Sequence, residues 1–373
     1  MKTLIITLAV LSSLLATENN PILFVDYTFN NTNNNSLSFA KIDISNTTKI
    51  DDENILNYNL VYSRISTNSF IDQGTGDYPP KDSLYTTTAY YTHHFGDNSI
   101  NIGLIPFKNG SYSDVNYNIT QRGDGLYNIV NVSAYSIMMT TKINNTMYKY
   151  GAMLYNNEFL NIEHDQVKQN NNSIFLTFLT DTNIDSKNNI TTNAFYGKPK
   201  YNDEEVADMF LTAIGYKWDD KDDTGLIIYT IISASYINEN ISNPIRDDII
   251  TKYNIPEQMV ASGKSSGFGY STLFAIQKSF ETYYPTSITY ETQHNSDEYY
   301  NLSGSMFNYE RFGGWVGDFQ SINFSIKPKP NLKISAKLTE MTSSKTKQPG
   351  SLINTMVNPQ HSNSFCLTIR WMY

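Results

Sequence analysis

Apolar and polar residues alternate with period two along most of this chain. Leu23, Val25, Tyr27 and Phe29 fall on one parity. Tyr148, Tyr150, Ala152 and Leu154 repeat the scheme, as do Phe210, Ile214, Tyr216 and Trp218, broken once by Thr212. Phe268, Tyr270, Phe274 and Ile276 follow, then Tyr300, Leu302, Gly304 and Met306. The cleanest pair comes late: Ile322, Phe324 and Ile326, then Leu332, Ile334, Ala336 and Leu338 against Lys333, Ser335, Lys337 and Thr339. Successive side chains of a β-strand point to opposite faces, so each stretch predicts a strand with one apolar and one polar face. Stretches near 129–143 and 226–236 are apolar on both parities, which predicts partial cover on their second face. Only the stretch from Ile245 to Val260 reads as a short helix.

The connections alternate too. Short polar turns are expected at Gly96-Asp97, Asn144-Asn145, 181–189 and 219–223, where Gly and Asn supply the positive φ of tight hairpins. Longer loops are expected at 68–83, 108–125, 157–171 and 238–264. Short turns on one rim and long loops on the other define a transmembrane barrel. About seventeen stretches qualify as strands, and the short-long rhythm fails between Ser279 and Pro330, where one is miscounted. With both termini on the short-turn side the number is even. The expectation is therefore an all-β chain: an antiparallel up-and-down β-barrel of about 16 strands, within a range of about 14–18.

The last strand is the most informative. Phe365, Leu367, Ile369, Trp371 and Tyr373 alternate with Cys366, Thr368, Arg370 and Met372. The first set predicts a lipid-facing row ending in aromatics at the membrane interface. At the other end, Met1-Lys2 precedes an apolar run from Leu4 to Leu15 that closes on Ala16, the pattern of a cleaved signal peptide. The expected organisation is a signal peptide at 1–16 and one barrel domain at 17–373.

Composition narrows the reading. Tyr (28) and Phe (19) are abundant and there is one Cys, Cys366, so the chain does not follow the disulfide-built secreted pattern. A net charge of −9 with no basic tract argues against nucleic acid as a partner. Asn runs create N-x-[ST] sequons, several inside expected strands, which reads as coding bias rather than glycosylation.

The full pattern resembles a bacterial outer-membrane porin, in particular the porin-like barrels of low-GC ε-proteobacteria. The terminal aromatic strand is similar to the carboxy-terminal signal read by the barrel-assembly machinery. The resemblance implies a Gram-negative outer-membrane location, contact with outer-membrane lipid, and a homotrimer as the assembly to look for. It carries no subfamily motif, so no solute follows from it.

Chemical motifs are weak. Gly263-Lys264-Ser265-Ser266-Gly267 matches G-x-S-x-G but leads into a strand, the wrong context for a nucleophile elbow. Adjacent His93 and His94 point to opposite faces and none of the five histidines has zinc-site spacing. Arg122-Gly123-Asp124 is an RGD tripeptide that is also ordinary turn chemistry. No catalytic residue, metal or cofactor is called for.

The candidate functional residues are charges. Lys327, Lys333, Lys337 and Arg370 fall on the inward parity of the last three strands and are expected to line a pore. Asp247, Asp248 and Glu257 lie in the 238–264 loop; folded inward, they would face that basic wall as constriction acids. The expected function is passive diffusion of small hydrophilic solutes or ions, without enzyme activity. The alternatives are a surface adhesin or outer-membrane enzyme on the same scaffold, or a soluble secreted β protein.

Overall fold

The computed structural model describes residues 22–32, 35–68, 81–107, 130–156, 172–198, 200–201, 204–253, 263–296, 299, 302–303, 317–343 and 361–372. The strands are β1 (Ile22–Thr32), β2 (Asn35–Lys49), β3 (Asn54–Asn68), β4 (Lys81–Phe95), β5 (Asn98–Phe107), β6 (Val130–Ile143) and β7 (Thr146–Asn156). They continue through β8 (Asn172–Asn183), β9 (Asn188–Gly197), β10 (Lys200–Tyr201), β11 (Glu204–Glu205), β12 (Ala207–Asp220) and β13 (Leu226–Ile241). Helix α1 (Asn243–Tyr253) follows, then β14 (Gly263–Phe280), β15 (Thr286–Asn295), β16 (Leu302–Ser303), β17 (Gly317–Lys329), β18 (Leu332–Ser343) and β19 (His361–Met372).

One 17-stranded sheet contains all of these except the small β10–β11 hairpin. Removing the two-residue β16 leaves 16 wall strands, each antiparallel to its neighbours. The ring closes because β1 pairs with both β2 and β19, in the second case from Phe24↔Met372 to Thr32↔Ser364. No backbone edge is left along the wall at this seam, which closure alone achieves for a sheet.

Alternation appears directly in burial. In β13, Ile227, Tyr229, Ile231, Ser233, Ser235, Ile237 and Glu239 are buried, while Ile232 and Tyr236 between them are exposed. The same rhythm recurs on β6, β8, β12, β14, β15 and β17–β19. Tyr135, Ile137, Ile174, Leu176, Phe178, Phe210, Ile214, Phe274, Ile288, Ile322, Phe324, Leu338 and Ile369 are exposed on the outer face. A soluble monomer does not carry an apolar belt of this extent. A lipid-embedded barrel requires one.

Of the stretch read as a strand at 300–306, the described part, Leu302–Ser303, is not part of the wall, and the rest lies outside the described residues. β15 pairs directly with β17, and Leu302–Ser303 pairs in parallel with Val130–Asn131 of β6. Alternation marks an extended chain but does not say what it pairs with. Removing this stretch restores the short-long rhythm. The connections at 50–53, 96–97, 144–145, 184–187, 221–225, 281–285 and 330–331 share one rim with the start of β1 and the end of β19. A helix is present at Asn243–Tyr253, beginning before the expected Ile245; residues 254–260 lie outside the described residues.

Two of these turns use one device. Ile50-Asp51-Asp52-Glu53-Asn54 and Ile184-Asp185-Ser186-Lys187-Asn188 close with Ile50 N donating to Asn54 O (2.8 Å) and Ile184 N to Asn188 O (2.9 Å). In the second, Asp185 Oδ1 accepts from Lys187 N (2.8 Å), Asn188 N (2.8 Å) and Asn188 Nδ2 (2.9 Å). Asp51 Oδ1 accepts the matching set from Glu53 N, Asn54 N and Asn54 Nδ2. These donors hold both carboxyls below the usual carboxylate range. The two simplest hairpins instead use positive φ, at Gly96 (62°) and Asn144 (53°).

Candidate pore lining

The inner face has two characters. On β15 and β17–β19 it is hydroxyl and amide: Thr289, Gln293, Asn295, Ser321, Asn323, Ser325, Ser335 and Thr368 are all buried. Hydrogen bonds link this face along and across strands. Ser287 and Ser325 hydroxyls lie 2.8 Å apart, and Gln293 Nε2 donates to Ser271 Oγ (3.0 Å) and Asn295 Oδ1 (2.8 Å). On β5–β9 and β12–β14 the inner face adds an apolar cluster to buried polar residues such as Thr177, Asn193 and Ser233. Ile105, Met138, Met153, Phe175, Phe195, Met209, Leu211, Tyr229, Ile231 and Leu273 form one buried cluster. This is the covered second face that two-sided apolar stretches predict.

A connection enters the interior at the boundary between the two. β15 ends at Asn295 opposite Ser271, although β14 runs on from Tyr270 to Gly263 beside β13 alone. Ser296 is tied to Tyr270, its N–H donating to Tyr270 O (2.9 Å) and its Oγ accepting from Tyr270 N (2.8 Å). Three residues on, Tyr299 is buried in the apolar cluster, its hydroxyl 2.9 Å from the Ser233 hydroxyl in the middle of β13. Burial pushes this phenol up to about 12, with the Ser233 and Ser271 hydrogen bonds opposing, so it stays protonated. Leu302–Ser303 then reaches β6. From β15 that is seven steps round the ring, through β14, β13, β12, β9, β8, β7 and β6, nearly the opposite wall. The described residues Ser296, Tyr299 and Leu302–Ser303 form a strap with anchors on three strands, β14, β13 and β6.

The central polar feature is an ion pair. Glu291 of β15 is fully buried, and Lys337 of β18 is 5% exposed. Lys337 Nζ donates to Glu291 Oε2 at 3.1 Å, and Ser321 Oγ of the intervening β17 donates to the same oxygen at 2.8 Å. Register explains the reach: Glu291 is level with Ser321, and Lys337 is level with Asn323, one inward position along β17. The alternation that places Lys337 inward places Glu291 inward as well. Sequence reasoning missed Glu291 because nothing local marks two positions 46 residues apart as neighbours.

The other candidate residues are spread along the barrel. Lys333 is partly buried and level with Arg370. Lys327 is exposed where β17 approaches its hairpin, its N–H donating to Pro285 O at 2.9 Å. Asp247 and Asp248 are exposed on α1, where Arg246 pairs with Asp247 at 3.4 Å. α1 lies in the β13–β14 connection, whereas the segment seen to enter the interior follows β15. Glu257 lies outside the described residues, as do residues 1–16, Arg122-Gly123-Asp124 and Tyr373. On β19, Phe365 and Ile369 are exposed, and Cys366 and Thr368 are buried. Gly263–Gly267 opens β14, a strand context. His93 Nδ1 lies 2.9 Å from Asn54 Oδ1, and among the described residues no cluster of three metal-type ligands forms.

A closed antiparallel wall, an apolar belt outside and a polar arc inside make this a transmembrane β-barrel of porin architecture. Solved structures agree. The anion-selective porin from Comamonas acidovorans matches with a TM-score of 0.57 at 8% identity, covering 95% of this chain and 99% of its own. OmpF of Salmonella typhi, in complex with daunomycin, matches with a TM-score of 0.55 at 10% identity, covering 95% and 98%. The trimer form of Vibrio cholerae OmpT, an outer-membrane protein, matches with a TM-score of 0.51 at 8% identity, covering 95% and 99%. At these identities the likeness establishes the fold. No protein-family model and no curated protein matches the chain.

Proposed function

We propose that the chain is an outer-membrane channel through which small hydrophilic solutes or ions diffuse passively. The observation that carries this reading is the opposition of faces on one closed wall: Ile322 and Phe324 outside, Ser321, Asn323 and Ser325 inside, on the same strand. Apolar side chains outward suit lipid and a polar arc inward suits water. In this reading Phe365, Leu367, Ile369, Trp371 and Tyr373 contact lipid, and Lys327, Lys333, Lys337 and Arg370 contribute to the field along the path. Asp247, Asp248 and Glu257 act at the mouth. The strap that includes Tyr299 narrows the interior.

Export would use residues 1–16, leaving the barrel domain at 17–373 for the barrel-assembly machinery to insert. A homotrimer fits the same reading, since the matched Vibrio cholerae OmpT has a trimer form. The test is reconstitution of the purified barrel into planar bilayers. Discrete, ohmic conductance steps with passage of small uncharged solutes into proteoliposomes are expected. A correctly folded barrel that inserts without conducting would overturn the proposal.

A further inference from the structure

We infer that Glu291 determines the ion preference of this channel by cancelling the charge of Lys337. The inference rests on the channel reading above and adds to it a specificity-determining residue. Lys337 is the one lysine of the last three strands that is both buried on the inner face and paired to a carboxylate among the described residues. Its partner sits two strands away, and Ser321 on the strand between fixes the shared oxygen. Three consecutive wall strands therefore hold one cation and one anion at 3.1 Å.

From a permeating ion's position the pair acts as a dipole, not as a cation. The field of two opposite unit charges this close falls off faster than that of either alone. Removing the carboxylate leaves one positive charge on a confined wall. The lysine's flexible four-carbon stem lets that charge turn from the protein towards water in the lumen. Removing the ammonium leaves one negative charge at the same height. The two single changes must therefore move selectivity in opposite directions, and changes that keep the sum at zero must not move it. A purely structural pair would not produce opposite signs.

The experiment uses the full-length protein in planar bilayers under a salt gradient at low ionic strength. E291Q is expected to raise the anion-to-cation permeability ratio about threefold or more, and K337Q to lower it by a similar factor. The double variant E291Q/K337Q and the exchanged pair E291K/K337E should stay near the wild-type ratio; they also serve if either single variant assembles poorly. Both shifts should shrink towards 1 M salt, where screening acts within about 3 Å. Wild-type conductance with unmoved ratios, or with single variants shifting in the same direction, overturns the inference and leaves the channel reading standing. A folded wild type with no conductance overturns the channel reading itself.

Discussion

The ring of Phe175 fills the space that a β-carbon on Gly197 would need. The two residues face each other across β8 and β9, and the ring carbons are the nearest atoms to that position. Met153 lies on the other side of Phe175 in register, also buried. The apolar inner wall is thus built around a small residue opposite a large one. G197A should force the ring to shift, at a cost of about 1–3 kcal/mol, as overpacking does. F175A should cost more, about 3–5 kcal/mol, by leaving a cavity. Urea unfolding followed by heat-modifiable gel migration would check the order; G197A as stable as wild type would mean the wall is not packed there.

On β19 the two faces should respond unequally to charge. Ile369 is exposed on the outer face and Thr368 is buried on the inner one. I369K places an ammonium against lipid and should cost about 2–4 kcal/mol if that position is near mid-bilayer. T368K points its charge into the polar interior and should be milder. Refolding yields into lipid vesicles would compare them, and equal damage would refute the register.

Tyr299 should matter to pore width. Y299F removes the hydroxyl with its hydrogen bonds to Ser233 and Ser271, each worth about 1 kcal/mol, and keeps the buried ring. Y299A removes the anchor. Single-channel conductance should therefore rise in Y299A and stay near wild type in Y299F. Equal conductance in all three proteins would show that the strap does not narrow the path.

The Asp-x-x-Asn turns set an acid limit. Three N–H donors lower the Asp185 carboxyl in the folded barrel. A group whose pKa is depressed by folding stabilises above its unfolded value, about 3.9, and that contribution fades as pH falls through the folded value. Wild type should therefore lose stability more steeply than D185A below about pH 4, the two curves converging as the carboxyl protonates. Unfolding midpoints measured from pH 6 down to 2 would show it; parallel curves would deny the turn its role.

Charge on the short-turn half of the wall should also be felt. Lys333 lies level with Arg370 and next to the hairpin that bears Lys327. K333E changes that site from +1 to −1, so permeating cations should gain at low salt. An unchanged reversal potential would place Lys333 outside the conducting path.

Much of this barrel could be read from alternation alone, because period two reports which face a side chain takes. Ile322 and Ser321, or Ile369 and Thr368, are assigned to opposite faces without any knowledge of neighbours. What alternation cannot report is pairing. Leu302 alternates like a wall residue yet pairs in parallel with the start of β6. Glu291 looks like any inward carboxylate until β17 brings Lys337 beside it. Lys327 has inward parity and is exposed near the rim, where the β17–β18 register shifts between Ile326 and Lys329. The two-sided apolar stretches signalled the packed inner wall, and the residue that enters it, Tyr299, could not be seen from them.

The seam between β1 and β19 imposes an order of events. Val25 meets Trp371 and Tyr27 meets Ile369, so the first wall strand waits for the last before either has two neighbours. Contacts this far apart in sequence are slow to form, because the intervening chain must be gathered first. Until then the growing sheet has two open edges, each a template for pairing with the wrong chain. A barrel sealed at its ends is therefore vulnerable throughout its own assembly and protected only at the final step. The time between translocation and closure, rather than the strength of any one contact, governs how much of it is lost to aggregation.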